Sequence, residues 1–137
     1  MIRPRHIARR IAAAERAQHI MPIEKWSERI TVARVTGESH LTDDFQTLFE
    51  QVGAREQDVV LDLAGIRYVN SSHIARLLKL RKQMITHNCR LLLCGVDPQV
   101  WGTFLVTGLD KVFEFSDSVP TALATLQLGA SGASASG

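Results

Sequence analysis

Val59-Val60-Leu61-Asp62-Leu63-Ala64-Gly65-Ile66-Arg67-Tyr68-Val69-Asn70-Ser71-Ser72 is the stretch on which the fold turns. Its first five residues are β-branched or apolar apart from Asp62, with almost no polar alternation. Such a run belongs to a strand that is covered on both faces or central in a sheet. Ala64-Gly65 interrupts it, and Ile66 to Val69 reads as a short extended piece. Asn70-Ser71-Ser72 then supplies helix N-cap chemistry. The next helix is predicted from about Ser72 to Thr86. Its buried side is read as Ile74, Leu77, Leu78, Met84 and Ile85, and its wet side as Arg76, Lys79, Lys82 and Gln83.

Upstream, Ile30-Thr31-Val32-Ala33-Arg34-Val35 alternates apolar and polar side chains, the pattern of a half-buried strand, and Thr36-Gly37 ends it. Thr42 or Asp43 can cap a helix whose apolar face is Phe45, Leu48, Phe49 and Val52, with Gly53 suited to its stop. Downstream, Arg90 to Cys94 is another strand. Gly95-Val96-Asp97-Pro98 turns into a short helix with Asp97 as cap and Pro98 at the first position. Val100, Trp101, Phe104 and Leu105 form its apolar face, and Gly108 stands where a left-handed C-cap belongs. Val112 to Phe115 is a last strand, and Ser116-Asp117-Ser118 caps a final helix containing Ala122, Leu123 and Leu126. Strands and helices thus alternate, which implies an α/β fold whose sheet has parallel neighbours joined by crossover helices.

The chain has 137 residues, 45% of them apolar, enough for one core. The longest apolar runs are only a few residues, far short of the roughly 20 that cross a bilayer, so no membrane span is expected. The N-terminus lacks the apolar stretch of a secretory signal, and the expected location is the cytoplasm. The formal charge of +2 is uneven: residues 1–21 carry five Arg and one Glu, so residues 22–137 sum to −2. A mildly acidic body argues against direct nucleic-acid binding. Residues 1–21 read as a basic leader, poorly ordered or weakly helical, residues 22–128 as the domain, and residues 129–137, all Gly, Ala and Ser, as a flexible tail. Met1 and Met21 both suit the start of the chain. On one strand, Cys89 and Cys94 would lie roughly 16 Å apart, too far for a disulfide, and they read as reduced core residues.

Catalytic and cofactor motifs are missing. The glycines form neither a phosphate loop nor a dinucleotide fingerprint, no serine sits in a Gly-x-Ser-x-Gly elbow, and no metal-ligand spacing occurs. The chain therefore reads as a binding module rather than an enzyme, with no cofactor and no metal. The suggestive feature is Ser71-Ser72 at a helix start. Free N–H groups and the helix dipole favour negative charge there. A serine in that place can take on about −2 of charge without unfolding its own helix, and the charge would disrupt a partner docked on that surface.

These residues resemble the STAS-domain anti-sigma factor antagonists. The segment Val59 to Ser72 is similar to that family's central strand and switch loop, in which a strand ending Asp-Leu or Asp-Ser leads through a spacer to Asp-Ser-Ser-Gly. Leu92 to Phe113, with Gly95, Pro98, Val100 and Thr107-Gly108-Leu109, is similar too, as is Asp117-Ser118 followed by Ala122-Leu123. The likeness covers about residues 23–127 and rests on the ordered set rather than on one motif. It implies a single STAS domain, a small mixed β-sheet with helices packed mainly on one face. It implies a partner that is both anti-sigma factor and serine kinase with an ATP-binding fold, and a serine phosphatase that resets the switch. Carried over, the phosphoacceptor is Ser71, with Ser72 second to it, and the partner-binding residues are Asn70, Ser71, Ser72, His73 and Arg76. Asn70 stands where the family has Asp, and His73 where it has Gly. Asn70 removes a carboxylate beside the acceptor, and His73, expected as an exposed first-turn residue, places bulk there. Those departures keep open a non-phosphorylated STAS scaffold or an accessory subunit of a lipid-transport ABC system.

Overall fold

The apolar run that opens the deciding segment becomes the middle strand of a sheet. The computed structural model describes residues 21–54 and 56–132. Among them, β1 (Ile23–Lys25), β2 (Ile30–Arg34), β3 (Asp58–Asp62), β4 (Leu91–Cys94) and β5 (Glu114–Ser116) pair in chain order. The pairs from β2 to β5 are parallel, with Ala33 beside Leu61 and Leu61 beside Leu93. β1 runs antiparallel along β2, Ile23 facing Ala33, and makes the sheet mixed. The alternation of strands and helices did not disclose β1. Three residues are too few to show a period, and only Ile23 is partly covered.

Four α-helices complete the described fold: α1 (Leu41–Ala54), α2 (Ser71–Thr86), α3 (Pro98–Thr107) and α4 (Val119–Gly132). Three of them share one face of the sheet. Phe45, Leu48 and Val52 of α1, Leu77, Leu80 and Met84 of α2, and Val100 and Phe104 of α3 pack with Ala33, Val59, Leu61 and Leu93. Among the described residues α4 alone covers the other face, laying Ala122 and Leu126 on Ile30, Val32, Val60, Leu92 and Cys94. β3 therefore buries alternate residues on opposite faces, which is why its sequence shows no polar alternation.

The structure corrects several expectations. β2 is not half-buried: Thr31 is covered as well, its hydroxyl bonded to Gln57 Oε1. α1 begins at Leu41 behind a 3-10 turn at Glu38–His40, ahead of Thr42 and Asp43. In α2, Leu80 is fully buried, whereas Leu78 and Ile85 are exposed. Leu105 of α3 is half exposed. α4 continues through Gly129 to Gly132, so the expected tail is helical at its start; residues 133–137, like the leader at 1–20, lie outside the described residues. The last strand is Glu114–Ser116, later than the expected Val112 to Phe115, with Val112 and Phe113 in the turn before it; the caps of α3 stand as read. Asp97 accepts the Gln99 N–H at 2.9 Å with Pro98 at the first helical position, and Gly108 is left-handed at φ 75°. Cys89 and Cys94 are both free thiols.

Candidate functional site

The site is the connection from β3 to α2. Asp62 closes β3 and organises the loop beyond it: its Oδ1 accepts the Ala64 N–H at 2.9 Å, and its Oδ2 lies 3.5 Å from Arg34 Nε. Gly95, at φ +67°, turns against the same carboxylate, where a Cβ would stand 2.6 Å from Asp62 Oδ1. Only glycine combines that backbone with that approach. Ile66 and Val69 are buried and pin the loop to the core, so Arg67, Tyr68 and Asn70 turn outward. The Arg67 N–H donates to Glu38 Oε1 at 2.7 Å, and this bond holds the Glu38 carboxyl below its ordinary pKa.

Helix α2 starts on a reciprocal cap. Asn70 is extended, and its Oδ1 accepts the His73 N–H at 2.9 Å. In return, His73 Nδ1 accepts the Asn70 N–H at 3.1 Å. This is a capping box in which histidine takes the place usual for Glu or Gln. His73 is only 7% exposed, and burial pushes its pKa below 6.5, against the opposing charge of Glu38. Ser71 and Ser72 are exposed. Among the described residues, no partner engages their hydroxyls or their backbone N–H groups.

The expected site residues therefore divide. Asn70, Ser71 and Ser72 share one exposed ledge. His73 does not join it: three residues beyond the cap, its ring folds back onto the Asn70 amide and the residue is buried, where the sequence led us to expect an exposed first-turn residue. Arg76 is half-buried, and its Nη1 donates to Gln46 Oε1 at 2.9 Å, tying α2 to α1. Two neighbours escaped the sequence reading. Tyr68, 62% exposed, stands in the loop just ahead of Asn70, between the buried Ile66 and Val69, so its apolar neighbours hid its exposure. Glu38, distant in sequence, left no signal.

The ledge offers hydroxyls, unused amides and a helix N-terminus, a combination that accepts negative charge. Among the described residues no group of three His, Cys, Asp or Glu could hold a metal ion. The Cys94 thiol, pushed up to about 12 by burial, remains protonated at neutral pH. No described helix is long and apolar enough to cross a membrane.

A sequence model of the STAS domain matches residues 11–122, and the chain belongs to the STAS domain family. Within that family its likeness runs to the anti-sigma factor antagonists. BtrV of Bordetella bronchiseptica, named as one of these, is 31% identical over 80 residues, spanning 58% of this chain and 69% of that protein. The structure of an anti-sigma factor antagonist domain protein from Planctomyces limnophilus aligns with a TM-score of 0.68 at 22% identity, over 78% of this chain and 97% of that one. The Bacillus cell-fate determinant SpoIIAA in its phosphorylated form aligns with a TM-score of 0.61 at 14% identity, over 78% and 99% of the two chains. At those identities the two structures speak for the fold.

Proposed function

We propose that the protein is an anti-sigma factor antagonist that works by partner switching. It binds an anti-sigma factor that is also a serine kinase with an ATP-binding fold, and the ledge formed by Tyr68, Asn70, Ser71 and Ser72 is the centre of the contact. Bound, it withholds the anti-sigma factor from its sigma factor. The kinase moves the γ-phosphoryl group of ATP to Ser71 Oγ; the serine proton passes to a base of the kinase, and ADP leaves. The phosphate adds about −2 of charge to a surface that docking must desolvate, and the complex separates. A serine phosphatase returns the hydroxyl by hydrolysis. The chain itself acts by binding, not by catalysis.

One observation carries this reading: Asn70 and His73 do the capping, so the exposed hydroxyls of Ser71 and Ser72 are not needed to start the helix. Ser71 can therefore change its charge without loss of the fold. Tucking His73 inward also removes the bulk that the sequence placed beside the acceptor. The phosphorylated form of SpoIIAA shows that a protein of this fold can carry phosphate. The test is capture of partners from the host lysate by wild type, Ser71→Ala and Ser71→Asp, with mass spectrometry of both partner and Ser71. The expected result is an ATP-binding serine kinase held by wild type and Ser71→Ala and lost by Ser71→Asp. Equal retention by all three would show a binding surface indifferent to charge at Ser71.

A further inference from the structure

His73 is unusual in its position. The residue that completes a capping box is ordinarily Glu or Gln, whose oxygen accepts a hydrogen bond throughout the neutral range. An imidazole accepts at Nδ1 only while it is neutral with its proton on Nε2. Backbone N–H is always a donor, so the 3.1 Å bond from Asn70 N–H requires an unprotonated Nδ1. A second proton would set Nδ1–H against the Asn70 N–H. The ring could then keep neither its bond nor, at 7% exposure, a solvent shell in place.

We propose that His73 is a positioning residue of the Ser71 switch: as neutral imidazole it closes the box that holds Ser71 at the first position of α2, and on protonation it releases the Asn70 amide and loosens that turn, so that presentation of Ser71 depends on pH. The role given to His73 rests on the reading of Ser71 as the phosphoacceptor. The surroundings favour the neutral ring at ordinary pH. Burial is the larger influence and disfavours the cation. Glu38, on the 3-10 turn before α1, acts the other way, and its carboxylate is engaged by the Arg67 N–H. Arg76, one turn along α2, is directed to Gln46 of α1. The box is thus closed at neutral pH and opens on the acid side, below the ordinary histidine pKa of 6.5. In the open state the Asn70 N–H loses its acceptor, while the His73 N–H still has Asn70 Oδ1, so half of the reciprocal cap is lost.

The experiment uses the full chain, 15N-labelled, as wild type, His73→Gln and His73→Glu. Both variants supply an acceptor oxygen at capping-box spacing, and neither gains a proton as histidine does near pH 6. Two quantities are followed from about pH 7.5 to about pH 5. One is the protection of the Asn70 amide from exchange, corrected for intrinsic pH dependence, together with the His73 15N shifts. The other is the initial rate of Ser71 phosphorylation by the captured kinase with ATP, expressed as wild type over variant so that the kinase's own pH profile cancels. The expected result is an unprotonated Nδ1 at neutral pH, a loss of Asn70 protection of about tenfold on acidification in wild type alone, and a rate ratio that falls with it. A protonated Nδ1 at neutral pH, or equal protection profiles in all three proteins, would overturn the proposal. So would a flat rate ratio while the box opens. If Ser71 takes no phosphate at any pH although the box titrates, the switch reading fails and the positioning role falls with it; the exchange data distinguish that failure from a box that does not titrate.

Discussion

Four consecutive residues at the head of α2 divide into two pairs with opposite fates. Asn70 and His73 bond each other, and His73 is buried. Ser71 and Ser72, between them, are exposed, with hydroxyls unclaimed by any described residue. The outer pair caps the helix and the inner pair is left exposed. In a helix capped by its own switch serine, modification would remove the cap as it added the charge. Under the proposed switch the cap, on Asn70, and the charge, on Ser71, belong to neighbouring residues.

That separation can be broken by substitution. The largest effect belongs to Ser71→Asp, for which partner affinity should fall about 100-fold or more, roughly 3 kcal/mol, by isothermal titration calorimetry. Thermal stability should hold or rise slightly, since a carboxylate at the first helical turn suits the dipole. Asn70→Ala reverses the pattern: urea unfolding should show a loss of about 1–2 kcal/mol of stability, because His73 N–H loses its acceptor. Equal stability of Asn70→Ala and wild type would mean that the cap contributes nothing. Tyr68→Ala should weaken partner binding about tenfold while leaving stability within about 0.5 kcal/mol, as expected of an exposed aromatic contact. Ser72→Ala should change stability by less than about 0.5 kcal/mol, and a larger loss would place a capping role on the inner pair after all.

A pH series sharpens the same comparison. The folded pKa of His73 lies below its unfolded value of about 6.5. Between the two, the unfolded chain binds more protons, so stability rises with pH across that window. His73 thus contributes fully above about pH 6.5, and its contribution is lost as pH falls toward the depressed folded value. Denaturation midpoints of wild type measured against His73→Gln should diverge over that interval and run parallel above it.

The deciding segment was legible because its signals are local. Asp97 with Pro98, and Gly108 at the end of α3, were equally plain, since a cap and a left-handed stop depend on the chemistry of one or two residues. β1 and the rotation of α2 were less so. Residues 77, 78 and 80 are all leucine, so two neighbouring stripes of α2 are equally apolar. The buried one is 73, 77, 80 and 84, and a histidine at its head concealed it. The same histidine shows why the site was only half read. Asn70-x-x-His73 has the spacing of a capping box, but a polar residue in a first turn looks solvated until its partner is known.

Local pattern and composition were enough for the alternation of strands and helices, for burial of β3 on both faces, and for a hydroxyl pair at a helix start. Those features depend on backbone preference, periodicity and apolar content within a few residues of each other. The tertiary structure alone decided which face of α2 turns to the core, how β1 joins the sheet, and how Glu38, Arg67 and Gly95 gather around the loop. It also decided that His73 faces inward and leaves Ser71 exposed. Each of those outcomes depends on contacts between elements far apart in the chain, whose energies no local window contains.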